Sequence, residues 1–394
     1  MIKVKLIPAG YGMSLLISVG KNPIFNILYD GGTKDAYSNC LKKEIEALTS
    51  RNERLNLVIC SHIDYDHICG LIKLLDEGYG AYIDELWYNG FLQIINEKYY
   101  NRAENDKTKH DMEIINNLIQ SAVNMDDQHN IGLNDLLTLG VLSIEKNITI
   151  NSAEKGIAIC VIDNSSIGRY KIGNAELIIL GPTKDCLNRM EKRWGKEMIS
   201  KGFHFNIADK VLNTKAFEMI MERIKMNYSS ETVRISNQDD LNRFCDDMLD
   251  TDESITNESS ISVIIKNNDR SILVLGDSVI DKAFLDRIEK AVGRSFKFDA
   301  IQLPHHGSRY NLSREFIERY IAKEYYVLTN SKKFDHPDIC VLANIAILNR
   351  DAKSFVFNYP IEKAKFLCRK DWQDKYNYCV CLNEENKSIE RTYL

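Results

Sequence analysis

The stretch Ser-His-Ile-Asp-Tyr-Asp-His-Ile-Cys-Gly, residues 61 to 70, constrains this chain more than any other. Two histidines and two aspartates fall within six positions, directly after the apolar run Leu55 to Cys60. That run reads as a short buried strand. Beyond it Ile68, Leu71, Ile72 and Leu75 recur at helical spacing, so Asp66 and His67 lie in the first turn of a helix. Asp66 suits that place, where the helix carries partial positive charge. His62 and Asp64 are two apart in an extended turn and can point the same way. One rigid strand-to-helix junction therefore offers four donors, enough to serve two neighbouring divalent ions. Gly70, one turn into the helix, permits close packing against the sheet.

Around this junction the pattern is α/β. Short apolar segments at Val4 to Ile7, Leu15 to Val19 and Ile24 to Tyr29 are separated by turns, one of them Pro8 to Gly12. Strand patterns return near 157–163 and 175–180, and at Ile261 to Lys266, Ile272 to Leu275, Ala300 to Leu303 and Tyr325 to Leu328. The expected organisation is one domain over 1–350, with helical insertions at about 91–150 and 185–253. Residues 351–394 form a β-rich extension packed on the same domain, with strands at Ser354 to Asn358 and Tyr378 to Leu382.

Charge and sulfur narrow the function classes. A net charge of -5 over 394 residues argues against an indiscriminate nucleic-acid coat protein, while leaving room for a local basic groove. The opening Met1 to Ile7 runs straight into a strand pattern rather than a signal-peptide core, and no run of about 18 apolar residues occurs. A cytoplasmic location without a membrane partner is expected. The ten cysteines are scattered, and Cys60, Cys160 and Cys340 sit inside apolar runs, which reads as buried free thiols. Cys379 and Cys381 form one C-x-C and read as plain strand residues.

Three further points carry chemistry. Val-Leu-Gly-Asp-Ser, 274 to 278, places Asp277 just past a strand end, where a carboxylate can bridge two metals. Leu-Pro-His-His-Gly-Ser, 303 to 308, sets His305 and His306 on a loop bounded by proline and glycine. Phe-Asp-His-Pro, 334 to 337, presents His336 rigidly before a proline.

The order of these blocks resembles the metallo-β-lactamase fold, and more narrowly the hydrolase domain of ComEC-type DNA-uptake proteins and their free-standing relatives. The blocks that carry the resemblance are Gly10 to Gly12, Asp30 to Gly32, Ser61 to Gly70, Leu275 to Ser278, Leu303 to Ser308 and His336-Pro337. It implies an αββα sandwich with a dinuclear metal site at one edge of two sheets. His62 and Asp64 would serve the first ion, Asp66 and His67 the second, with Asp277 bridging. One of His305 and His306 would complete the second site. The expectation is that His305 is the ligand and that His306, with Asp66 and His336, serves catalysis. Asp30 would support the loop beneath the site.

Two departures stand out. The usual motif is H-x-H-x-D-H, whereas position 64 is aspartate, a change ComEC-type members share; the extra carboxylate shifts preference from zinc toward manganese or magnesium. Many members also supply a histidine after the strand matching 175–180, where this chain reads Leu180-Gly181-Pro182-Thr183. His110, His129 and His204, all in polar inserts, are the remaining histidines.

The resemblance implies a metal-dependent hydrolase with two divalent ions, manganese or zinc with magnesium as a further option. On this reading it is a phosphodiesterase or nuclease using a metal-bound hydroxide, and an effector in bacterial antiviral defence. Nucleic acid or another phosphodiester would be its substrate, and the insertions would bind a protein partner. The basic segment Arg189 to Lys196, with Trp194, is a candidate for gripping phosphate and stacking a base. The alternatives are a lactone, thioester or amide hydrolase of the same fold, and a partner-binding regulatory module with a degenerate metal site.

Overall fold

Alternation builds the first sheet. In Ile2–Leu6 (β1) the side chains of Ile2, Val4 and Leu6 are buried between two sheets, while Lys3 and Lys5 pair outward with Glu390 and Glu44. The structure, a computed structural model, describes residues 1–95, 110–114, 138–162, 167–203, 211, 213, 214, 216, 217, 241–245, 251–383 and 387–394.

The first sheet adds Leu15–Val19 (β2), Phe25–Tyr29 (β3), Leu55–Ile59 (β4) and Leu86–Trp87 (β5). Its order is β14-β1-β2-β3-β4-β5, where β14 is Ile389–Tyr393 from the far end of the chain. The β1, β2 and β3 pairings are antiparallel, and β3, β4 and β5 run parallel.

The second sheet comprises Gly168–Ile172 (β6), Ala175–Gly181 (β7), Ser262–Asn267 (β8), Arg270–Val274 (β9), Phe296–Gln302 (β10), Tyr320–Val327 (β11), Lys353–Phe357 (β12) and Tyr378–Leu382 (β13). These lie in sequential order, antiparallel from β6 to β9 and parallel from β9 to β13. The C-terminal residues therefore extend both sheets.

Helices cover both outer faces, as the apolar faces of two sheets require. Lys42–Thr49 (α1), Tyr65–Asp76 (α2) and Leu139–Glu145 (α3) pack Ile45, Leu71, Leu74 and Leu142 onto the first sheet. Lys282–Val292 (α5), Arg314–Arg319 (α6), Ile339–Leu348 (α7) and Lys370–Tyr376 (α8) do the same for the second, through Phe284, Phe316, Val341 and Trp372. Between the sheets Ile17, Ile59, Val263 and Val274 belong to a third buried layer. The result is an αββα sandwich, the architecture expected from the sequence.

The helix Lys184–Ser200 (α4) lies outside this frame. Its Leu187, Met190, Trp194 and Met198 fill a separate cluster with Phe91, Phe203 and Phe217, and Ile63 of the histidine-rich junction packs against that cluster. The expected strand near 157–163 does not form in residues 157–162: Val161 makes one isolated bridge to Thr183. The Asn89 side chain takes the ladder's place, accepting from the Ile159 N–H and donating to its carbonyl, both at 2.8 Å.

Candidate metal centre

The centre lies where strands of both sheets end together. β3 delivers Asp30, β4 delivers residues 61–67, β9 delivers Asp277, and β10 delivers His305 and His306. The sheets are stitched there by the Ile261 N–H donating to the Ser61 carbonyl at 2.9 Å and the Tyr29 hydroxyl donating to the Ile261 carbonyl at 2.6 Å.

Close backbone contact fixes the junction. Asp64 occupies the N-cap of α2, but its side chain makes no capping bond. The turn Asp30-Gly31-Gly32 presses on the first turn of the helix, with the Gly31 N–H donating to the His67 carbonyl at 2.8 Å and Gly70 N–H to the Gly32 carbonyl at 2.9 Å. A Cβ at Gly70 would fall 1.9 Å from the Gly31 oxygen, so only glycine fits. The close approach is thus to this turn at the end of β3.

Hydrogen bonds set the tautomer of each buried imidazole. His67 Nδ1 donates to the Asp30 carboxylate at 2.8 Å. His306 Nδ1 lies 2.7 Å from the Leu328 carbonyl, which can only accept. The Ser61 hydroxyl spends its proton on Asp30 at 2.7 Å and so accepts from His62 Nδ1 at 2.9 Å. In all three rings Nδ1 carries a proton, so Nε2 is the atom turned toward a metal.

The Nε2 atoms of four histidines converge on one carboxylate. Asp277 Oδ2 lies 3.4 Å from His67 Nε2, 3.8 Å from His62 Nε2, 3.9 Å from His305 Nε2 and 4.0 Å from His306 Nε2. Asp66 Oδ2 is 3.3 Å from His306 Nε2 and 3.7 Å from His67 Nε2, and Asp64 Oδ2 is 3.9 Å from His62 Nε2. Two sets of donors are close enough to share an ion: His62, His67 and Asp277, and Asp66, His67 and His306. Buried His62 Nε2, His67 Nε2, His306 Nε2 and Asp277 Oδ1 have no hydrogen-bond partner among the described residues. Burying such atoms unpaired is costly, so this donor set fits divalent metal.

Electrostatics agree. Burial pushes the Asp277 carboxyl up, but the His67, His305 and His306 rings outweigh it and hold it well below the usual range. Burial likewise opposes the charge on His67, yet Asp277, Asp30 and Asp66 raise its pKa well above that of an ordinary histidine. Asp66 is lowered by His67 and His306 against the upward push of burial. Carboxylates kept ionised beside imidazoles form a cation site.

The two adjacent histidines have different surroundings. His306 joins Asp66 and His67. His305 is outside both donor sets and is held from behind, its Nδ1 2.9 Å from Asn311 Oδ1 and 3.4 Å from Asp252 Oδ2. Both adopt left-handed backbone, at φ 46° and φ 58°, and Gly307 follows at φ 89°. Two non-glycine residues in a row at positive φ concentrate strain at the ligand loop. Burial lowers the His336 pKa, with His305 adding to the effect; its ring centroid is 5.0 Å from that of His305.

At Gly181 to Thr183 there is no imidazole, and Thr183 instead caps α4 through its hydroxyl. His110 is exposed; His129 and His204 lie outside the described residues. Sequence reasoning missed the supporting polar groups. Ser260 Oγ accepts the Asp277 N–H at 3.1 Å and approaches His62 Nδ1 at 3.2 Å. Gln302 Oε1 accepts the N–H groups of Leu275 and Gly276 at 2.8 and 2.9 Å.

A two-sheet sandwich with helices on both outer faces and these donors at one edge is the metallo-β-lactamase fold. No protein-family model matches the sequence, and comparison with curated proteins finds no match. Solved structures that are similar include the metallo-β-lactamase fold protein YhfI from Bacillus subtilis, at 9% identity and TM-score 0.36 over 99% of each chain. Zn(2+)-bound PqqB from Methylobacterium extorquens matches at 10% identity and TM-score 0.39 over 100% of each chain. CmlA, a diiron β-hydroxylase from Streptomyces venezuelae, matches at 12% identity and TM-score 0.39 over 99% of this chain and 54% of CmlA. Likenesses this distant say nothing of activity, and the fold is read from the chain's own sheets and donor loops.

Proposed function

We propose that this protein is a metal-dependent hydrolase acting on phosphodiesters, with nuclease activity as its specific form. The observation that carries the reading is Asp277 Oδ2, which has four imidazole Nε2 atoms within 4.0 Å. His62, Asp64 and Asp277 would hold one ion, and Asp66, His67, His306 and Asp277 the other. Two such ions lower the pKa of a water and clamp the attacking and leaving oxygens of a phosphoryl centre.

The chain's own residues prepare that chemistry. Asp30, Ser61 and the Leu328 carbonyl lock the three rings with Nε2 turned inward. His336, its pKa lowered by burial against the pull of Asp338, offers a proton donor or acceptor beside His305. Asp64 in place of a histidine hardens the first site and favours manganese over zinc.

The test is reconstitution with single metals, followed by assay on single-stranded, double-stranded and circular DNA, RNA and a generic phosphodiester. Manganese-dependent cleavage that disappears in Asp66→Ala and Asp277→Ala supports the reading. Turnover of lactones or thioesters with every phosphodiester left intact refutes it. Failure to bind any divalent ion would favour a regulatory module instead.

A further inference from the structure

Beside the centre runs a groove of about 670 Å³ lined by Lys34, Lys43 and Lys332 together with Tyr11, Tyr65 and Tyr359, and Asp35 is its single acidic residue. The three lysines are exposed, and none has a carboxylate partner among the described residues. A fourth, Lys333, places its ammonium 4.6 Å from the Tyr11 ring centroid and 5.0 Å from that of Phe334. The chain ties the groove to the centre. Tyr65 stands between Asp64 and Asp66 in sequence and is 39% exposed. Gly12, next to Tyr11, packs so tightly on Asp66 that a Cβ there would lie 1.8 Å from its carbonyl oxygen. Rings also lead inward: Tyr11 to Phe334 at 6.0 Å, Phe334 to His336 at 6.4 Å, and His336 to His305 at 5.0 Å.

Another cavity has the opposite character. About 580 Å³ in volume, it sets Asp185, Asp252, Glu258 and Asp281 against Arg189 and Arg287. Arg189 is already paired with Asp185 and Glu258, and Trp194 on the same helix is fully buried. Arg193 is likewise paired with Glu197, so within the basic segment singled out in the sequence only Lys192 and Lys196 keep a charge uncompensated among the described residues, and the segment has no ring to offer a base. A polyanion is repelled on that side and attracted on the lysine side.

We propose that the lysine-tyrosine groove binds single-stranded nucleic acid, its phosphates on Lys34, Lys43 and Lys332 and its bases against the exposed ring of Tyr65. Uncompensated cations answer a phosphate backbone, and accessible tyrosine faces stack on bases only where those bases are unpaired. A duplex keeps its base faces to itself. The proposal rests on the phosphodiesterase reading for what happens to the bound strand, and on the groove alone for binding.

Binding can be measured without turnover, by fluorescence anisotropy of labelled oligothymidylate with the 394-residue chain. The double variant Lys34→Glu/Lys332→Glu should weaken binding about tenfold or more. Tyr65→Ala should weaken it by about tenfold through lost stacking. Lys192→Glu/Lys196→Glu, on the exposed face of α4, should leave it unchanged. The wild-type salt dependence should become shallower by about 0.7 in log-log slope for each lysine neutralised. Equal affinity of the groove variants and wild type, preference for duplex, or loss confined to the α4 variant each overturns the proposal. Strand binding through the groove with no phosphodiester cleaved would uphold this inference and refute the hydrolase reading. Cleavage of a generic phosphodiester with no strand binding would do the reverse.

Discussion

Asp30 holds His67 by a 2.8 Å hydrogen bond to Nδ1, from a backbone position at φ 56°. The bond fixes which nitrogen of His67 faces Asp277 and raises the basicity of that nitrogen. Asn tolerates the same left-handed backbone and keeps the shape, so Asp30→Asn removes the charge and turns one of the two oxygens that accept from Ser61 and His67 into a donor. Metal affinity should fall by about 10- to 100-fold while far-UV circular dichroism stays native. Metal titration of the variant checks this, and unchanged affinity would show that the Ser61 and backbone contacts orient His67 unaided.

The surroundings of His305 and His306 predict unequal effects. His306→Ala removes a donor from the Asp66 and His67 set, and should lower bound metal by about one ion per chain in elemental analysis. His305→Ala should retain that ion, because His305 lies outside both donor sets and is tied to Asn311 and Asp252. The opposite pattern would assign the second site to His305.

The sequence made the donors legible and hid their supports. Residues 61–67 are contiguous, so spacing alone reveals their chemistry, and the strand-loop settings of Asp277 and of the 305–306 pair point the same way. Ser260 and Asp252 reach the centre's histidines far along the chain and Asn311 reaches His305 six residues back, and a single polar residue on a loop carries no such signal. Gln302 did leave a trace, as a lone amide in the apolar run Ala300 to Leu303. Trp194 was misleading for a similar reason. Its basic neighbours suggested a surface, whereas the spacing of Leu187, Met190, Trp194 and Met198 marks a buried helical face. The pairing of β14 with β1 joins opposite ends of the chain, which local patterning does not encode.

Lys353 predicts a pH dependence remote from the centre. Burial lowers its pKa from 10.5 to about 8, although its ammonium reaches the carbonyls of Asn349 and Tyr376 at 2.5 and 2.8 Å. Between pH 8 and 10.5 the folded chain has lost this proton and the unfolded chain still binds it. The Lys353 contribution to stability therefore rises with pH across that window. Urea unfolding of wild type and Lys353→Met at several pH values should show the difference between them shrinking or reversing in favour of wild type as pH increases. A pH-independent difference would mean that the carbonyls keep the lysine charged.

Gln302 provides the last test, because it clamps the two loops that carry Asp277 and the histidine pair. Its Oε1 accepts from Leu275 and Gly276, and its Nε2 donates to the carbonyls of Gly276 and Leu303 at 3.2 and 2.5 Å. Every donor and acceptor of the amide is thereby used inside the fold, where no water can substitute. Gln302→Leu matches the bulk and strands two backbone N–H groups, each worth about 1–3 kcal/mol when buried unpaired. Unfolding in urea should report a loss of about 2–4 kcal/mol, within that range for two groups sharing some relaxation. Metal binding should weaken as well, because the loops keep their ligands but lose their register. Gln302→Glu offers the acceptor without the donor, so it should recover the contacts to Leu275 and Gly276 only. A loss of stability with metal affinity untouched would show that the loops hold the donors without the clamp.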